Sequence, residues 1–134
     1  MIARRFDIGE DLPLPLARLV WAWEEKRGAG GCAPRAALPV LRLPGGGARA
    51  AFVLAPAGED AYAVRLAGAD CPPELLEGPG TALADAAFEA WLVLAPMTIE
   101  GAGWRAILVP LADGETHVVL GLVAAKDTAV REAA

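Results

Sequence analysis

The chain has 134 residues, and its 12 Lys plus Arg against 17 Asp plus Glu leave a formal net charge of -5, so it is the length of one domain. Hydrophobic residues make up 55% of it, but 30 of them are alanine, and the longest uncharged apolar stretch, Ala90 to Ile99, already contains Pro96. A membrane-spanning helix needs about 20 continuous apolar residues, so none is expected, and neither is membrane association. The only adjacent basic pairs are Arg4-Arg5 and Lys26-Arg27, too little for a phosphate-binding patch, which argues against nucleic acid as a partner.

Near the start, Arg4-Arg5 is followed by Asp7, Glu10 and Asp11 instead of an apolar core and cleavage site, so no secretion signal is expected. Cys32 and Cys71 are too few to staple a small secreted domain, and a cytoplasmic protein with reduced thiols is the expectation. At this length a domain buries about 68% of the surface its unfolded chain exposes, so neither metal nor disulfide is required for folding.

Residues 1–11 read as an N-terminal extension, 12–125 as the domain and 126–134 as a charged, alanine-rich tail. A leading helix is predicted over 12–28, with Asp11 as N-cap and Pro13 and Pro15 within the first turn, where proline costs little. Leu16, Leu19, Val20 and Trp23 recur at helical spacing, and Gly28 follows the closing charges as the C′ residue. Leu14, Ala17 and Trp21 form a second, narrower stripe. A helix with apolar surface on two sides packs on its own domain with one and on a partner with the other.

The segment Gly28-Ala29-Gly30-Gly31-Cys32-Ala33 matches the spacing of a dinucleotide-binding turn, but it follows a helix and leads into Pro34, the reverse of the strand-to-helix setting that motif needs. Gly45-Gly46-Gly47 lacks the Lys-Ser/Thr of a phosphate loop and reads as a turn.

Five strands are predicted: Ala50 to Leu54, Tyr62 to Leu66, Trp91 to Leu94, Arg105 to Leu111 and Thr116 to Val123. Turn chemistry at Ala55 to Asp60, Gly101-Ala102-Gly103 and Asp113-Gly114 makes them antiparallel hairpins. Between the second and third strands, Pro72 opens a short helical turn through Leu76 and Thr81 caps another through Phe88. Helices on one side of an antiparallel sheet make an α+β fold.

His117 is the only histidine, which removes Ser-His-Asp, Cys-His and multi-histidine metal sites from a single chain. At the first position of its strand it is expected at the solvent edge, and the alternative is a place on the strand face with Val119, Gly121 and Val123, titrating inside a pocket. Cys32 and Cys71 have no neighbouring bases in sequence, though Cys71 gains thiolate character if it caps a helix N-terminus. The acid pairs Glu24-Glu25 and Glu59-Asp60 fall at a helix end and in a turn, and Asp85 and Glu89 read as surface, so no sheltered carboxylate pair is marked. Phe52, Tyr62, Phe88, Trp91 and Trp104 are the residues able to line a ligand pocket between sheet and insert, or simply to fill a core.

The order of elements resembles a PAS domain. The helix with Leu19-Val20-Trp21-Ala22-Trp23-Glu24-Glu25-Lys26-Arg27-Gly28 resembles the leading helix of short single-domain bacterial PAS-like proteins. Tyr62-Ala63-Val64-Arg65-Leu66-Ala67-Gly68 is similar to their second strand, and Trp104 to Gly114, with Pro110-Leu111-Ala112-Asp113-Gly114, to their fourth strand and its hairpin. The resemblance implies a PAS-like five-stranded antiparallel sheet with an N-terminal helix and a short helical insert between strands 2 and 3. The insert, Asp70 to Phe88, is shorter than the family's usual helical region, and Cys71-Pro72-Pro73 stands where a Gly-x-x-Leu-x-Gly-Arg run is expected.

The expected function is that of a non-catalytic cytoplasmic signalling module. It homodimerises through Leu14, Ala17 and Trp21 and either senses a small molecule or docks on a regulatory partner. The alternative is a small cofactor-free enzyme using Cys71 or a buried carboxylate. The sequence points to no particular cofactor.

Overall fold

The computed structural model describes residues 2–6, 11–28, 31–40, 43–58, 61–76 and 81–125. Helix α1, Leu14–Lys26, buries Leu16, Leu19, Val20 and Trp23, the stripe that the 3.6-residue spacing predicts. Asp11 does not cap it. The N-cap is Pro13, with no side-chain cap, while the Asp11 carbonyl accepts a hydrogen bond from the Arg105 guanidinium. At the other end Arg27 leaves in extended conformation, φ -70 and ψ 127, so Gly28 is not used as a left-handed terminator. That conformation falls instead at Gly31, φ 84.

The strands are β1 (Ile2–Arg5), β2 (Ala33–Pro34), β3 (Ala51–Pro56), β4 (Tyr62–Ala67), β5 (Met97–Gly101), β6 (Trp104–Asp113) and β7 (Thr116–Ala125). They lie in the order β1-β5-β6-β7-β3-β4 with antiparallel neighbours, and the two-residue β2 pairs in parallel with β6. The mixed α+β class is therefore as expected, with more strands than the five predicted. Residues 2–5, read as part of an extension, form an edge strand against β5. The tail 126–134, the turn residues Glu59 and Asp60, and Ala29-Gly30 lie outside the described residues.

One predicted strand is a helix. Trp91 to Val93 completes α3, Thr81–Val93, and the strand lies further on at Met97–Gly101. Short apolar runs do not reveal their period. Here the run continues the helical spacing of buried Leu83, Ala86, Ala87 and Ala90. α3 ends with Leu94 left-handed at φ 51. The N–H of Leu94 donates to the Trp91 carbonyl at 3.3 Å and that of Ala95 to the Ala90 carbonyl at 3.2 Å, a Schellman closure ahead of Pro96. The short helix α2, Pro73–Leu76, is where Pro72 predicts it.

Helices on one side of the sheet is also corrected: they cover both. Ala106, Leu108, Val119 and Val123 pack with Leu75, Leu83, Ala87 and Ala90 of α2 and α3. Ile107, Val109, Val118, Leu120 and Leu122 pack with Leu16, Leu19, Val20 and Trp23 of α1. Strands apolar on both faces require two covering layers.

Pro110 lies inside central strand β6, which ordinarily excludes proline. β5 pairs with β6 no further than Leu108, and β2 begins opposite Leu111, so a gap in the ladder falls at Pro110. Among the described residues, no partner strand there needs its missing N–H. Its carbonyl instead accepts from the Trp23 indole N–H at 2.7 Å and the Cys32 thiol at 3.4 Å, which fixes α1 to the sheet.

Hairpin β6–β7 turns through Gly114-Glu115, with Gly114 at φ 64, as a glycine-first two-residue loop favours. At Gly121 the reason for glycine is space: a Cβ there would lie 2.1 Å from the Phe52 ring, which fills the hollow and is fully buried. Overpacking a well-filled core costs about 1–3 kcal/mol. Gly121→Ala is expected to lose about that much in urea unfolding, and adding Phe52→Leu to recover part of it. Strictly additive losses in the double variant would show that the ring is not the obstacle.

Candidate functional site

α1 covers β6 and β7 but not the whole of its face. Beside it the chain crosses the sheet in two 3₁₀ segments, Arg35–Ala37 and Pro44–Ala50. Between helix and segments is a cleft of 560 Å³, walled by Leu19 and Ala22 from α1, by Ala36, Ala37 and Leu38, by Leu43 and Ala50, and by Leu122 from the sheet. The space exists because Ala22, Ala36, Ala37, Gly47 and Ala50 bring so little side chain to it. Among the described residues, two charged ones line it, Arg18 and Asp70, both solvent-exposed. Asp70 pairs with Arg49 at 3.4 Å.

A second cleft of 610 Å³ continues on the other side of residues 36–39, over Val53, Leu66, Val118 and Leu120. Leu66 reaches it through a bulge in β4: Val53 opposes Leu66, but Leu54 opposes Val64, so the extra residue Arg65 turns Leu66 toward the α1 side. An Arg35–Asp113 ion pair at 3.0 Å closes one end.

On the α3 side the structure assembles a cluster around His117. Its ring stacks on Trp91 of α3, centroids 4.1 Å apart and 4° from parallel. Its Nε2 lies 2.7 Å from the Tyr62 hydroxyl of β4, and the Tyr62 ring meets it edge-on. Burial holds His117 below its ordinary pKa and Tyr62 above its own. Both shifts favour the neutral forms, in which Nε2 accepts from the phenol when the ring proton is on Nδ1. The solvent-edge placement expected for His117 is thus corrected: it is half-buried, on the face it shares with Val119 and Val123.

Of the five aromatics expected around a pocket, Tyr62 and Trp91 meet at His117. Phe52 is fully buried over Gly121. Trp104 lies across Gly101 and donates its indole N–H to Glu74. Phe88 is on the outer side of α3, 42% exposed. None of the five lines either cleft. Leu14 and Ala17 are half-buried and Trp21 is 61% exposed on the outer side of α1. Glu24, Glu25, Asp85 and Glu89 are exposed.

The thiols are not activated. Cys71 is buried, donates to the Ala51 carbonyl at 3.4 Å and is raised in pKa chiefly by burial, as is Cys32. Among the described residues, no group of three or more His, Cys, Asp or Glu side chains could hold a metal ion.

The His117 cluster was partly within reach of the sequence. Continuing the buried spacing of α3 from Ala87 puts Trp91 one turn on, on the side facing the sheet. The cleft was not, because its walls come from segments far apart in the chain. Comparison with family models, curated proteins and solved structures finds no match to this chain.

A histidine depressed by burial adds stability above its unfolded pKa, about 6.5, and loses it as pH falls toward the lower folded value. The melting temperature is therefore expected to fall more steeply from pH 7 to 5 in the wild type than in His117→Gln. Parallel slopes would show that the stacked ring takes up its proton without cost.

Proposed function

We propose that this chain is a non-catalytic, PAS-like signalling module of the cytoplasm. It acts as a homodimer and senses a small molecule in the cleft beside α1, docking on a regulatory partner being the other use of the same surface. The observation that carries the reading is the 560 Å³ apolar cleft against α1, within the roughly 300–1,000 Å³ range of small-molecule sites. The PAS-like assignment draws support from the chain order of leading helix, antiparallel hairpin, helical insert and three antiparallel strands in one sheet.

α1 stands between the two activities. Leu19 and Ala22 wall the cleft, while exposed Trp21 shares one side of the helix with half-buried Leu14 and Ala17. A ligand that braces α1 therefore changes the presentation of the outward face. The alternative of an enzyme working through Cys71 gains no support, because a buried thiol with a raised pKa is the reverse of an activated nucleophile.

An exposed tryptophan at an interface centre typically contributes about 2 kcal/mol or more, roughly thirtyfold in affinity. Trp21→Glu is expected to shift the mass in light scattering from dimer to monomer with its far-UV circular dichroism unchanged. The same mass for both proteins would sink the proposed dimer.

A further inference from the structure

We infer that the cleft beside α1 takes an apolar monocarboxylate, its hydrocarbon body among Leu19, Leu43 and Leu122 and its carboxylate on Arg18. The inference rests on the ligand-binding reading above and adds the chemistry of the ligand. Apart from Arg18 and Asp70, no lining residue among the described residues has a polar side chain, so a polar group carried deep into the cleft would be desolvated without a side-chain partner among them. The body of the occupant must therefore be apolar, with its polar group at the exposed rim.

The sign of that group follows from how the charges of the described residues are used. Arg27 pairs with Glu24, Arg35 with Asp113, Arg49 with Asp70 and Arg105 with Glu100. Asp70, the one carboxylate lining the cleft among the described residues, is thus already engaged. Arg18 holds no carboxylate and no hydrogen-bond partner among the described residues. The unused charge at the rim is a guanidinium, whose planar fork accepts a carboxylate through two parallel N–H···O bonds. A single anionic head on an apolar body matches both features, and an alcohol of equal length matches only one.

Calorimetric titration of the full chain at pH 8 with decanoate and with decanol separates the two. Decanoate is expected to bind at least about fivefold tighter than decanol, a difference Arg18→Gln removes while leaving decanol unchanged. Ala22→Trp, which fills the cleft, is expected to abolish both. Equal affinities in the wild type would overturn the head-group assignment and leave the ligand-binding reading standing. Binding of neither probe would overturn both.

Methyl chemical-shift mapping on the wild type makes the test independent of whether Ala22→Trp folds. Shifts are expected at Leu19, Leu43 and Leu122, and shifts confined elsewhere would overturn the inference. An affinity for decanoate that falls as protein concentration rises would assign the cleft to a second copy of the chain, which also overturns it.

Discussion

Burial of β6 and β7 on both faces is the constraint from which the rest of the structure follows. Ala106 to Leu111 and Val118 to Val123 are buried almost without interruption, so each face needs a cover. α3 and α2 supply one, using alanines that let the helix lie close to the sheet. α1 supplies the other and is fixed by one buried polar contact, the Trp23 indole on the Pro110 carbonyl. Among the described residues that carbonyl has no partner strand, because β5 stops short and β2 has not yet begun. The irregularity of a proline in a central strand is thus what gives α1 its anchor.

Local signals were legible where local chemistry decides. The buried stripe of α1 followed from Leu16, Leu19, Val20 and Trp23 alone, and the last hairpin from Asp113-Gly114. The run Trp91 to Leu94 is β-prone in composition, yet it continues the buried spacing of Leu83, Ala86, Ala87 and Ala90, and its Trp91 stacks on His117 of the face that α3 covers. Burial on both faces was written in the unbroken apolar run Ala106 to Leu111, which is how doubly covered strands read. Reading helices onto one side neglected it. Nothing in Ile2-Ala3-Arg4-Arg5 marks an edge strand, since its pairing with Met97 to Glu100 is a long-range choice.

The position of α1 bears directly on the signalling role proposed for the chain. A ligand shifts an equilibrium only by the difference in its affinity for the two states. A ligand held wholly within the sheet's own core would touch nothing that a partner sees. One held between Ala22 and Leu122 touches the helix that carries Trp21, so its contacts change if α1 tilts or lifts. Under the proposed function, coupling of occupancy to association requires no pathway through the domain, because one rigid element would be wall to the ligand and surface to the partner.

The two faces also differ in how their hollows are filled, which explains why the cleft is on the α1 side. Opposite α3, glycines at 101 and 121 open space in the strands, and the rings of Trp104 and Phe52 occupy it. His117, Tyr62 and Trp91 fill the end of that layer with one another. Beside α1 the small residues are Ala22, Ala36, Ala37 and Ala50, and no aromatic ring lines the space between them. Trp23 is spent on anchoring the helix. A chain with few aromatics has placed half of them on the face it closes, and the apolar volume that remains is on the face where an exposed arginine stands at the rim.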